Sequence, residues 1–262
     1  MVPGLAFLAT AVATLFAEAA FVRWRRRRKP HEGAWAVALA LFALACAALA
    51  TGVSTGWDRG LFRVFYLLGA ILNVPWLALG TIYLLVGERA GRRVRAGLVF
   101  ASGLAAGVML STPVNGDVTG VAVPVGREVL DVLPRVLAAV GSGLGAIVVF
   151  VGAAWSAARF ARSARAPSAS RVAQARPAGA ASPGRMAGAN LLIAAGTLVL
   201  SGGGLLQGVI GHDEAFTVSL ASGITVIYAG FLVAARRVAT VAGPDPDPGA
   251  RTAVVTASTS AS

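Results

Sequence analysis

The chain has 262 residues, 56% of them hydrophobic and only 13% charged, with a mean hydropathy of +0.74; a soluble domain carries about 25% charged residues. A water-soluble fold is excluded, because its surface would have too few polar groups to offer water. The net charge of +12 does not point to nucleic acid, since the arginines cluster in short segments between apolar stretches, where the positive-inside rule puts them.

Residues 3–22 form the first apolar stretch, long enough as a helix to cross a hydrocarbon core of about 30 Å. Ala17-Glu18-Ala19 imitates a signal-peptide cleavage site, but the positive charge follows the apolar region instead of preceding it, so the span is expected to be retained. The basic run Arg23, Arg25, Arg26, Arg27, Arg28 and Lys29 comes next. Further spans are expected at 34–53, 61–86, 96–114, 135–158, 187–210 and 215–235. TGWDRG at 55–60 reads as a short outer turn and ERAGRRVR at 88–95 as an inner one. The loop before span five holds GREVLDVLPRVL, whose apolar residues recur at helical spacing, and this predicts a short interfacial helix. Residues 159–186, rich in Ala, Arg, Ser and Pro, read as a low-complexity cytoplasmic loop, and 239–262 as a disordered cytoplasmic tail.

The expected fold is all-α: a polytopic membrane protein of seven transmembrane helices, N-terminus outside and C-terminus cytoplasmic. Charge supports the orientation. Of the 23 basic residues, all but Arg59, Arg63, Arg127 and Arg135 fall on one side of this topology, as the positive-inside rule requires. Arg25, Arg26, Arg27, Arg28 and Lys29 are expected to contact anionic lipid headgroups, each worth about 1 kcal/mol near the surface.

An ionisable or strongly polar residue within a span is costly in lipid and marks a candidate site. On these boundaries Glu18 is the only acid in a span. Thr10, Thr14 and Glu18 recur every four residues and so share one face of the first helix, which is expected to turn toward the bundle. A bland alternative is that Glu18 reaches the inner interface and pairs with a cytoplasmic arginine. Asn73 and Pro75 lie near the middle of span three. Pro75 lacks an N–H and crowds the preceding turn, so a kink and a freed carbonyl near Ile71 are expected. Asn73 either satisfies such backbone or helps to form a transport site at a broken helix. Threading each span from its arginines puts Tyr83, Asn190 and Tyr228 at depths similar to Glu18, giving a candidate polar cluster of Glu18, Asn73, Tyr83, Asn190 and Tyr228. Arg63 is expected to pair with Asp58 or an acid of the outer loop. The glycine pairs Gly103/Gly107, Gly141/Gly145 and Gly204/Gly208 predict close helix packing, and Ser201-Gly202-Gly203-Gly204 predicts a weakened or unwound point.

No metal site is expected, since Cys46 is the only cysteine and His31 and His212 are several spans apart. No catalytic residue is assigned: there is no HExxH, no phosphate loop and no second intramembrane acid. Lys29 is the only lysine, which excludes a retinal Schiff base, and no other cofactor is expected.

The stretches RRRRKPHEGAWAVALALFALA and WDRGLFRVFYLLGAILNVPWLALGTIYLL resemble a family of seven-span proteins from high-GC actinobacteria, over most of the first 112 residues. Asn73-Val74-Pro75-Trp76 is the most specific part. The resemblance implies a bacterial plasma membrane and seven spans, and no chemistry carries over from it. The topology is also similar to the seven-span sensor regions of some bacterial histidine kinases. Two functions follow as expectations. One is a non-enzymatic sensor-like or scaffold module whose Arg-rich cytoplasmic face binds anionic lipid or a protein partner. The other is a small-solute or proton-coupled transporter using Glu18 and Asn73. A cavity reaching Asn73 favours the second, and a packed midplane the first.

Overall fold

A computed structural model describes residues 2–116, 118–165, 183–210 and 213–235. The described residues are helical apart from short connections and one isolated bridge between Val114 and Leu130. Among the described residues, six helices are long and apolar enough to cross a membrane: Val2–Arg27, Pro30–Thr55, Arg59–Leu85, Glu88–Ser111, Val132–Ser156 and Glu214–Val233. Large apolar side chains such as Phe100, Leu110 and Trp155 point outward, as lipid-facing positions do and water-facing ones seldom do.

Helix α1 (Val2–Arg27) and helix α2 (Pro30–Thr55) form an antiparallel hairpin joined by only Arg28 and Lys29. Arg28 takes a left-handed conformation, φ 54°, and its amide donates to the Trp24 carbonyl at 2.7 Å, so the last turn of α1 closes at a residue just past its end. Pro30 occupies the first position of α2, where a missing N–H costs nothing. Asp58 then starts α3 (Arg59–Phe65) by accepting from the amides of Gly60 and Leu61 at 2.7 and 3.0 Å. That role and the Arg63 bond to the Thr112 carbonyl, 2.9 Å, stand in place of the expected pairing of Arg63 with Asp58 or an acid of the outer loop.

Between α3 and α4 (Asn73–Leu85) the backbone is π-helical, Tyr66–Leu72. The Asn73 amide reaches back five residues to the Leu68 carbonyl. A wide turn of this kind accommodates the proline ring two residues later and leaves carbonyls without their usual partners. One is taken up from outside: the Ser142 hydroxyl donates to the Ala70 carbonyl. A Cβ at Gly145 would lie 3.0 Å from the Val74 carbonyl group, and one at Gly141 would lie 3.3 Å from the Ile71 oxygen. The pair Gly141/Gly145 therefore brings its helix onto the irregular segment.

The remaining helices are α5 (Glu88–Ser111), α6 (Gly126–Val129), α7 (Val132–Arg165), α8 (Pro183–Ile210) and α9 (Asp213–Ala235). Neighbours run α1–α2–α4–α7–α8–α9 and back to α1, a closed ring of six, with α5 packed outside against α4. Helices α8 and α9 meet backbone to backbone, since a Cβ at Gly196 would lie 2.7 Å from the Gly223 oxygen. Gly103 and Gly107 face open space instead, because α5 lies on the outside of the ring. Gly204 and Gly208 carry no described side-chain surroundings. The backbone of α8 is helical straight through Ser201–Gly204, so no unwound point forms there; Gly203 instead admits Ser219, whose Cβ would be 2.3 Å from an added Cβ.

Helices run past the expected span ends. Arg23–Arg27 sit on the last turns of α1, Glu88–Arg95 open α5, and Arg159–Arg165 close α7. These segments gather at what we term the basic end. At the opposite, loop end, GREVLDVLPRVL does not form one interfacial helix. It divides into the four-residue α6, a bridge residue Leu130, and the start of α7. Val129 and Leu130 of this stretch turn inward while Val132, Leu133 and Val136 stay exposed; with Val114, Val118 and Val123 of the preceding loop they join Trp57, Phe62 and Ala6 in one core, and the Trp57 amide donates to the Gly120 carbonyl at 2.8 Å. The loop folds into the bundle mouth because four of those residues are valines with no polar atom to hold at an interface. Of the low-complexity loop, residues 166–182 lie outside the described residues, as does the tail 239–262.

Candidate functional site

Inside the ring, between mid-bundle and the basic end, lies a cavity of about 170 Å³. All six ring helices line it. Its wall is largely apolar, built from Phe16, Phe42, Leu77, Ile193, Ile224 and Phe231. Six polar or charged side chains reach it: Asn73 and Thr81 from α4, Ser156 from α7, Thr197 from α8, and Arg23 and Glu32 at the α1–α2 hairpin.

Glu32 is the most informative of these. It stands in the first turn of α2 and is 3% exposed. Arg23 Nε donates to its Oε1 at 2.8 Å, and an Arg27 nitrogen lies 3.7 Å from the same oxygen. Burying a carboxylate costs several kcal/mol unless partners offset it, and here two guanidinium groups and the positive end of a helix dipole do so. The second oxygen, Oε2, is buried and makes no hydrogen bond. Arg23 is itself held from its other side, with its guanidinium carbon 5.5 Å from the centre of the Phe231 ring. Phe231 stands 5.0 Å from Phe16, so the ion pair rests on the aromatic wall of the cavity.

The expected cluster is not brought together. Glu18 is exposed on the outer surface of α1 and has no ion pair among the described residues. The stripe faces away from the bundle: Thr14 is exposed, and Thr10 and Thr14 donate to the carbonyls four residues back, both at 2.8 Å. The reason is visible on the other face, where Ala6, Ala9, Ala13, Phe16 and Ala20 are the buried residues of α1. Small alanines allow the close hairpin that the threonine face would not. Tyr83 is buried beside Ala34 and Leu79. It lines a separate cavity of about 200 Å³ at the basic end with Lys29, Pro30, His31 and Glu88. Tyr228 is half-buried behind the wall, 5.2 Å from Phe16. The side chain of Asn190 lies outside the described residues. Asn73 alone of the five reaches the main cavity, and its side-chain amide has no hydrogen-bond partner among the described residues.

Glu32 is absent from the expected site because the second span was taken to begin at residue 34. The signal was present: Lys29-Pro30-His31-Glu32 carries proline at a first helical position and an acid in the first turn, both helix-start marks. Arg25, Arg26, Arg27, Arg28 and Lys29 are all exposed at the basic end. Two of them have further contacts, Arg27 with Glu32 and Arg28 with the Trp24 ring at 5.7 Å. Among the described residues no group of three His, Cys, Asp or Glu could hold a metal ion, and Cys46 is buried and free.

The fold and site define a class: among the described residues, an all-helical protein with six helices able to span a membrane, five of which join α8 in a ring around a largely apolar cavity. No protein-family model, curated protein or solved structure matches the chain.

Proposed function

We propose that the chain is a seven-span protein of a bacterial plasma membrane, with α8 as the seventh span, that binds a small molecule inside its helix ring as a carrier or receptor and not as an enzyme. The observation that carries this reading is the cavity between Asn73 and the Arg23–Glu32 pair. Ligand sites between bundle helices are typically apolar with a few convergent polar groups, and this one has that composition. The solute-binding reading is preferred over the scaffold reading because the midplane at Asn73 is not packed solid. It moves the charged group from Glu18 to Glu32. The single carboxylate of the cavity is held by Arg23 and Arg27, an arrangement that supports a binding role.

A second reading accompanies the first. Arg25, Arg26 and Lys29 are exposed at the same end as Arg89, Arg93 and Arg95, and this supports a cytoplasmic basic face that contacts anionic headgroups or a protein partner.

Both the cavity and the orientation are tested by thiol accessibility in a Cys46→Ala chain. Asn73→Cys and Ser156→Cys are expected to react with a small thiol reagent, and Ala50→Cys in the loop-end core is expected to resist it. Lys29→Cys is expected to react with an impermeant reagent in inside-out vesicles only. An Asn73→Cys thiol as inert as that of Ala50→Cys would overturn the cavity reading, and labelling of Lys29→Cys from outside would overturn the orientation.

A further inference from the structure

The guanidinium group of Arg23 narrows the ligand of the cavity, an inference that rests on the binding function proposed above. Arg23 lines the cavity, and its guanidinium carbon lies 5.5 Å from the centre of the Phe231 ring, which is part of the same wall. A guanidinium carries its N–H donors in a flat fork and accepts nothing. Here Nε–H is engaged, donating to Glu32 Oε1 at 2.8 Å. The terminal nitrogens make no hydrogen bond among the described residues, and the side chain is 29% exposed. Their edge is therefore free to hold an acceptor, and two parallel bonds suit an acceptor with two oxygens.

Charge decides which acceptor fits. Glu32 is the cavity's one carboxylate among the described residues, and it serves two cations, since an Arg27 nitrogen lies 3.7 Å from the oxygen that Arg23 holds. The group carries a positive charge in excess. Arg25, Arg26, Arg28 and Lys29, exposed at the same end, raise the positive potential there and draw anions toward it. A ligand carboxylate brings the group to neutrality, and buried charges are least costly when each has its partner. A cation would add to the excess, a neutral head would leave it, and a dianion would reverse it.

Size sets the other half. A dry apolar cavity of about 150 Å³ accommodates benzene, and this one measures about 170 Å³. The body is then a single ring or a compact branched alkyl group, too small for a lipid acyl chain. The wall suits a ring, because Phe16, Trp35, Phe42 and Phe231 all line the cavity and aromatic pairs gain from offset or edge-to-face contact.

We propose that the cavity binds a small aromatic or compact aliphatic carboxylate, its apolar body among Phe16, Phe42 and Phe231 and its carboxylate on the terminal nitrogens of Arg23. The test uses the full chain in nanodiscs of zwitterionic lipid, with benzoate, benzyl alcohol, toluene and benzylamine as probes, read by calorimetry and by the shift in unfolding temperature. Benzoate is expected to bind about tenfold more tightly than toluene or benzyl alcohol, the factor that a hydrogen bond to a charged group supplies, and benzylamine more weakly than toluene. Arg23→Leu combined with Glu32→Leu removes the pair without stranding a charge, and is expected to abolish the preference for benzoate while toluene still binds. Should that chain not fold, Arg23→Lys, which keeps the charge and loses the fork, is expected to reduce the preference. Ala153→Phe, or Ala20→Leu should the first not fold, is expected to fill the cavity and abolish binding of every probe. Benzoate binding no more tightly than the other probes, or keeping its preference without the Arg23 fork or in the filled variant, overturns the ligand class; the cavity function stands if toluene binding is lost in the filled variant. No probe binding at all, or binding of every probe indifferent to the filled variants, overturns both.

Discussion

At the loop end of the ring Trp57, Phe62 and Tyr66 interlock with Val118 and Val123 of the inserted loop. At the basic end Phe16, Phe42 and Phe231 stand around about 170 Å³ of cavity. Both ends use aromatic residues, so side-chain size does not make the difference. Among the described connections, length does. The chain between α5 and α7 is long enough to fold inward and fill the mouth, whereas the α1–α2 turn is Arg28 and Lys29 and the α4–α5 turn is Val86 and Gly87. Turns of two residues do not cover a ring of six helices, and the α7–α8 connection 166–182 lies outside the described residues. Among the described residues, the closure of the basic end falls to side chains, chiefly Arg23 and Glu32.

The filled end should then be the more sensitive to truncation. Phe62→Ala removes a fully buried ring and is expected to cost about 4 kcal/mol, while Leu39→Ala, on a wall already facing space, is expected to cost about 2 kcal/mol. Reversible unfolding in mixed micelles measures both. Equal losses would mean that the cavity wall is packed as tightly as the loop-end core, and the contrast between the ends would fail.

The ion pair sharpens the contrast from the other side. Arg23→Leu strands a buried carboxylate and is expected to destabilise by about 3 kcal/mol, because removing one partner leaves a charge uncompensated. Arg23→Leu combined with Glu32→Leu is expected to return to within about 1 kcal/mol of the parent, since a buried pair replaced by apolar groups is often neutral. A neutral Arg23→Leu would show that Arg27 alone, now 3.7 Å away, neutralises Glu32.

Six helices able to span, and not the expected seven, are found among the described residues, whereas the all-helical class and the arginine-rich end were legible because apolar length and charge clustering are local properties. The helix ends were less so: hydropathy marks where lipid contact stops, and helical hydrogen bonding continues past it, which is how Glu32 fell outside span two while Pro30 began the helix. Which face of α1 turns inward was not legible from the polar stripe. A threonine can satisfy its hydroxyl on its own helix, as Thr10 and Thr14 do, so polar periodicity carried no information about the bundle. The alanines Ala6, Ala9 and Ala13 did. Ring order and the separation of Tyr83 from Asn73 depend on which helices touch, and a single sequence does not contain that.

The two ends meet at the irregular segment of Tyr66–Leu72 and Pro75, where Asn73 marks the inner limit of the cavity. Glycines of α7 hold this boundary, and they differ physically from those of α5. A Cβ at Gly145 would press at 3.0 Å on the Val74 carbonyl, which is backbone and cannot swing aside, while at Gly103 it would meet nothing within 4 Å. Gly145→Ala is therefore expected to cost about 1–3 kcal/mol through overpacking. Gly103→Ala is expected to be neutral or stabilising by up to about 1 kcal/mol, because alanine orders a helix more readily than glycine. Unfolding of the two variants side by side separates a glycine required by contact from one that is merely tolerated. If Gly145→Ala also leaves the stability unchanged, α7 does not rest on the irregular segment, and the boundary between the filled and the open half is set by α4 alone.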